Sequence, residues 1–292
     1  MFSKKIVYLN PIKGKKIMKR VSSIIVFILL STFAFAQFGF VKKAELEKFK
    51  DTRMVVVLSN DSAYNASIKA AVERYWSFTG TIFAYDTALK PYNKPNFSFL
   101  VFSKGKVSKI KAKLCSSEED FNGLQVLNKF KRRATKVEII ARAFCSNKID
   151  TENWESEMIR GVQLLNNYFN YAVEAKGELT PANYPSDKSL MANKKLLIPE
   201  KFLELKGKED GPTILDGEVE EVPREDIEKA IKNQDPGTMY FYFSLDEKDC
   251  NKLVLTSDKS ELMYFEIESP EKCACMAKDL KALKTAKAKA NK

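Results

Sequence analysis

Met54-Val55-Val56-Val57-Leu58-Ser59-Asn60-Asp61 opens the stretch whose reading decides the fold, and that stretch runs on to Trp76. Five apolar, largely β-branched residues in a row suit a strand buried on both faces. Ser59, Asn60 and Asp61 then supply side chains that accept hydrogen bonds from free backbone N–H groups, the chemistry of turns and helix N-caps. Tyr64, Ile68, Ala71, Val72, Tyr75 and Trp76 follow at the spacing of one helix face. Strand, capped turn and packed helix make a βα unit, so the chain is read as α/β (mixed α+β).

Upstream of this unit, a helix over Lys42–Lys50 is expected to lead into the strand. Downstream, Thr81–Tyr85, Asn96–Phe102 and Lys136–Phe144 read as strands, and Lys109–Leu114 alternates lysine with apolar residues. Asp150 is placed to cap a long helix whose inner face is Trp154, Met158, Val162, Leu165, Phe169, Ala172 and Val173, with Gly177 to stop it. Residues 177–193 hold Pro181 and Pro185 and no periodicity, which marks a linker. The pattern then restarts: strands at Leu196–Pro199, Glu218–Val222, Met239–Phe243, Leu253–Leu255 and Leu262–Ile267, with Pro223 opening a helix to Lys232. A last helix, capped by Ser269, carries Cys273, Met276, Leu280 and Leu283 on its apolar face and fades into a lysine-alanine tail at 285–292. Two consecutive mixed-sheet units are expected, 37–176 and 194–284, each with packed helices.

The first 36 residues read as a targeting segment. Lys19 and Arg20 precede a short apolar run, Val21 to Phe35, and Ala34-Phe35-Ala36 gives the small residues that a signal peptidase reads. Cleavage is expected before Gln37, with Met18 as the initiator. The run is shorter than the ~20 apolar residues of a spanning helix, so the expected product is exported to the periplasm or envelope of a bacterium without a transmembrane span. Removing this segment takes away seven basic residues and no acid, and the formal charge falls from +11 to +4. Lys281–Lys292 holds five more lysines and no acid, which leaves the folded body near −1. The high pI belongs to the two ends, and nucleic acid is excluded as a partner.

Histidine is absent. That removes Ser-His-Asp and Cys-His nucleophile systems, histidine-containing zinc sets and the commonest general base near neutral pH. No cofactor or metal is expected. Ser269-Pro270-Glu271-Lys272 has the S-x-x-K spacing of serine acylases, but S-D-N and K-T-G are missing, and Ser269 is read as a cap. Cys273-Ala274-Cys275 cannot converge on one ion from a helix, because residues two apart point about 200° from one another. In an oxidising compartment Cys250 is expected to pair with Cys273, with Cys115–Cys145 a weaker candidate and Cys275 left free.

Candidate ligand-binding residues are Ser59, Asn60 and Asp61, at a strand end where open α/β sheets bind ligands. The turn lacks a glycine fingerprint, so it carries no nucleotide signature. Tyr240 to Phe243 places aromatics on both faces of one strand, one of them core and the other a groove or a helix seat. Lys104–Lys136 is basic and Glu204–Glu228 acidic, read as solvated faces, with an envelope protein or an anionic surface as the functional counterpart of the basic one. The expected function is a non-catalytic binding or assembly module of the cell envelope. The competing class is a hydrolase of envelope glycans using two carboxylates roughly 5–10 Å apart.

Overall fold

The computed structural model describes residues 43–104, 116–117, 122–130, 133–134, 139–145, 154–175, 184–185, 187–204, 219–245 and 250–290. The targeting segment, Lys109–Leu114, Cys115, Asp150, Gly177 and most of the acidic run before Val219 lie outside them. Helix α1 (Lys43–Lys50) leads into strand β1 (Arg53–Leu58), of which only Arg53 is exposed. Asp61 caps α2 (Ser62–Tyr75), its Oδ1 accepting from the N–H groups of Ala63 (2.9 Å) and Tyr64 (3.0 Å). Helix α2 buries Tyr64, Ile68, Ala71 and Val72, the face that the spacing predicts. Strand β2 (Gly80–Tyr85) lies parallel to β1 on one side, and β3 (Phe97–Lys104) lies parallel on the other. Two antiparallel strands, β4 (Asn122–Leu127) and β5 (Ile139–Phe144), complete a sheet of order β2-β1-β3-β4-β5.

Helix α3 (Trp154–Glu174) follows, and then the pattern repeats. Strand β6 (Lys195–Pro199) is flanked by two parallel strands, β7 (Val219–Val222) and β8 (Thr238–Leu245). Antiparallel β9 (Cys250–Thr256) and β10 (Leu262–Glu268) follow, so the second sheet has the order β7-β6-β8-β9-β10. Helix α4 (Arg224–Lys232) joins β7 to β8, and α5 (Ala277–Ala290) closes the chain. Five helices among the described residues and two five-stranded mixed sheets make the fold mixed α+β.

The two sheets match in more than order. The β4–β5 register shifts between Val126 and Leu127, and the β9–β10 register shifts between Val254 and Leu255. Val126 pairs with Leu100, and Val254 pairs with Phe241. Aligning the bulges therefore sets Phe102-Ser103 of β3 on Phe243-Ser244 of β8. Aligning the first β1–β3 pair, Arg53 with Phe97, on the first β6–β8 pair, Lys195 with Thr238, gives the same correspondence.

Gln37–Lys292 forms one compact unit. One apolar cluster takes Met54, Val56 and Leu58 from β1, Met158, Val162, Leu165 and Phe169 from α3, and Leu197, Tyr240 and Leu253 from the second sheet. Helix α3 is buried on every side from Ser156 to Leu165, as suits a helix within the core rather than on its surface. Gly161 allows its close approach, since a Cβ there would lie 2.8 Å from Leu124 Cδ1. A second cluster, on the far face of the second sheet, joins Leu196, Ile198, Met239, Phe241 and Val254 to Leu280 and Leu283 of α5. Within 177–193, Tyr184 and Met191 are buried, and Lys188 Nζ donates to the Met263 carbonyl (2.6 Å).

The last helix starts later than its sequence pattern predicts. Pro270–Lys272 is a 3-10 turn without a side-chain cap from Ser269, and Cys275–Met276 bridges to Leu203–Glu204 as a short strand. Asp279 reaches back to accept from the Met276 N–H (2.8 Å), the reach of a capping box, so the helix begins at Ala277. Because 273–276 is not helical, helical phase does not set its burial. Cys275 is fully buried and Cys273 only partly, the reverse of the expectation.

Candidate functional site

The Ser59-Asn60-Asp61 turn sits at the C-terminal end of β1, between β2 and β3. Ser59 and Asp61 have their polar groups occupied from within, while Asn60 is exposed. Asn65 clasps Ser59, taking its N–H on Oδ1 (2.9 Å) and giving Nδ2–H to its carbonyl (2.8 Å). Ser59 Oγ accepts from the Asp61 N–H (3.1 Å). Asp61 Oδ2 accepts from Trp154 Nε1 (3.3 Å) while Oδ1 caps the helix. The Trp154 ring packs edge-on against Tyr64 (5.1 Å between centroids) and Phe102 (4.9 Å). The crevice at this strand end is thus filled by the chain's own aromatics.

The second sheet is different. Pairing of β6 with β8 stops at Leu197 and Tyr240, and β6 ends at Pro199, which has no N–H to extend a ladder. Strand β8 runs on through Phe241–Leu245, where it pairs with β9. A cavity of about 520 Å³ opens beside β8 beyond the point where its pairing with β6 stops. Phe202, Phe241, Phe243, Ile227 and Ile231 give it apolar walls, and Leu245 stands half-exposed among the lining residues. Three of the phenylalanines form a ladder of nearly parallel rings: Phe241 to Phe243 at 5.4 Å and 9°, Phe243 to Phe202 at 4.6 Å and 15°.

Polar groups meet on the side that α3 and α4 supply. Glu157 and Arg160, one turn apart on α3, form a pair at 2.7 Å with almost no exposure of either side chain. Arg160 Nη2 also donates to the Phe144 carbonyl, and its Cζ lies 3.8 Å from the centre of the Tyr242 ring. Glu157 Oε1 takes Arg224 Nη2 (3.1 Å), and Glu157 Oε2 takes the Tyr242 hydroxyl (3.1 Å). Arg224 reaches Glu228 through Nε (2.8 Å). Burial raises the Glu228 carboxyl pKa, with Arg224 opposing, and burial pushes the neighbouring Cys145 thiol up to about 12. That thiol stays protonated and unreactive near neutral pH. Arg160 Nε and Nη1 have no hydrogen-bond partner among the described residues, although the side chain is fully buried.

The sequence reading did not find Glu157 and Arg160. Their only signal is a charged pair three apart amid a helix face rich in apolar residues. The aromatic strand Tyr240–Phe243 was singled out, and both of its faces are used. Tyr240 joins the shared core and Tyr242 packs against it, while Phe241 belongs to the cluster under α5 and Phe243 packs beside it. A second concavity, of about 430 Å³, lies between α2, α3 and the turn before β10. Its amides are already committed to this chain, Asn166 to Ser77, Asn167 to Lys259 and Gln163 to Ser260.

Cys250 and Cys273 lie with their sulfurs 1.97 Å apart and their Cα atoms 5.4 Å apart, joining the start of β9 to the turn before α5. Cys145 and Cys275 are free and buried. Lys252 and Asp279 form an unexposed ion pair beneath α5 (3.2 Å). Among the described residues no cluster of three metal-ligating side chains occurs, and no helix is long and apolar enough to cross a membrane. No family model, curated protein or solved structure matches this chain.

Proposed function

We propose that this chain is an exported, non-catalytic binding module of a bacterial envelope that seats a small, largely apolar molecule in the cavity beside β8. The observation that carries this reading is the cavity itself. Protein interiors are close-packed, so an opening of about 520 Å³ with aromatic walls and converging polar groups is the form that ligand sites take. The Val21–Phe35 segment with its Ala34-Phe35-Ala36 site supports export, and a bonded Cys250–Cys273 pair suits an oxidising compartment.

A glycan hydrolase has less support. Glu157 and Glu228 are the acids that line the cavity, and both bind the Arg224 guanidinium. Glu157 has each oxygen engaged by a donor, leaving it poorly placed to give or take a proton. Titration with Nile red, a neutral apolar dye, tests the binding reading. One saturable site is expected, weakened at least about tenfold in an Ile227→Trp variant whose fold is verified by circular dichroism. Absence of saturable binding, or binding indifferent to this substitution, would remove the cavity from the account.

A further inference from the structure

We propose that the ligand of this cavity is a carboxylate, seated on Arg160, with an apolar body lying along the stack of Phe243 and Phe202. The inference rests on the binding reading above and adds the chemical class. Arg160 is always charged and offers five N–H donors, yet Nη2 alone is engaged, by Glu157 and the Phe144 carbonyl. A buried charged donor without an acceptor is costly, and Nε and Nη1 are two such atoms on a residue lining a cavity whose other charged side chains, Glu157, Arg224 and Glu228, already bond one another. The guanidinium is held in place, paired to Glu157 at 2.7 Å and stacked on Tyr242 at 3.8 Å, so it meets a ligand preorganised.

The unpartnered donors of Arg160 select the class. Glu157 is the acid that answers Arg160, and it also serves Arg224 and Tyr242. Arg224 has Glu228 as a second carboxylate (2.8 Å), so acids and guanidinium groups balance. It is the two N–H-bearing atoms of Arg160 without a partner among the described residues that favour an anionic acceptor over a neutral or cationic head. A carboxylate makes charge-assisted bonds to arginine, roughly twice as strong as those of a neutral carbonyl. The Phe241, Phe243 and Phe202 rings stack on one another, and the side of that stack gives the rest of the molecule an apolar wall. In the first sheet, Phe102 holds the place of Phe243, and a flat ring with one polar atom, Trp154, packs against it.

Calorimetry on the full mature chain with two probes of one ring system decides this. Wild type should bind 2-naphthoate at least about tenfold more tightly than 2-naphthylmethanol, the neutral isostere. The double variant Glu157→Gln/Arg160→Met removes both buried charges together. It should bind the two probes equally, with the loss confined to naphthoate. Equal affinity of the probes in wild type overturns the proposal without any variant, and so does binding of Nile red with neither naphthyl probe. If Nile red also fails to bind, the binding reading itself is what fails.

Discussion

The two sheets share one strand order, one pattern of parallel and antiparallel pairs and one bulge, yet their crevices end differently. In the first, Trp154 closes the gap beside Phe102 and gives its N–H to Asp61. In the second, the gap beside Phe243 stays open and Arg160 lines it. A single helix serves both. Residues three apart on α3 shift by about 60° around the axis, so Trp154 packs on Phe102 of the first sheet while Glu157 and Arg160 reach Tyr242 of the second, Arg160 also donating to the Phe144 carbonyl of the first. Topology provides a crevice in each half, and the side chains on α3 decide whether it is filled.

The largest effect should come from breaking the second site's ion pair. Arg160→Met leaves Glu157 buried with less compensation and should destabilise the protein by about 3–5 kcal/mol in urea unfolding. Adding Glu157→Gln should recover much of that loss. A single substitution costing under ~1 kcal/mol would mean that α3 does not depend on this pair.

The second half is also stapled where the first is not, since Cys250 occupies the register position of Asn122. Replacing both Cys250 and Cys273 by Ala should cost about 3 kcal/mol by the chain-entropy estimate. Peptide mapping without reductant checks the bond, and a labelled Cys250 thiol in protein from the oxidising compartment would remove this difference between the halves.

Trp154 is half-buried, so Trp154→Ala should cost about 2–3 kcal/mol, somewhat below the range for a fully buried aromatic. The substitution should also turn the filled crevice into an open one, and added indole should restore part of the lost stability. An unchanged melting temperature would show that Trp154 covers the first crevice without holding it.

The smallest expected effect is acid weakening of α5. Burial works against the Glu266 carboxylate, but hydrogen bonds from Tyr264 and Lys278 hold its pKa down to about 2 from 4.5. Unfolded chains bind more protons across that window, so the contribution of this group is complete above pH 4.5 and fades as pH falls towards about 2. Glu266→Gln should flatten that part of the stability profile, and an unaltered profile would place the acid sensitivity elsewhere.

What the sequence disclosed follows from how local each signal is. The β1–Asp61–α2 unit was legible because an apolar run, a cap and a helical face lie within two dozen residues. Strand β4 was missed, since Gly123 and the buried Gln125 break the apolar pattern of Asn122–Leu127. The late start of α5 was missed because Cys273 and Met276 fit a helical face that Asp279 and the bridge at Cys275 interrupt. Arg160 and Glu157 were invisible for another reason. Charged residues on a helix normally mark its wet face, and this one is covered by Phe144 of β5 together with Arg224 and Tyr242, more than sixty residues downstream. The gap beside β8 depends on where long-range pairing stops, and no window of sequence encodes that.

A crystal structure of the wild-type protein soaked with 2-naphthoate tests the contrast between the halves most directly. A naphthyl ring is expected along Phe243 and Phe202, with its carboxylate within hydrogen-bond reach of Arg160 and no ligand beside Trp154. Naphthoate seated at Asp61 and Trp154, or phenylalanine rings collapsed into the second crevice with no ligand there, would contradict it.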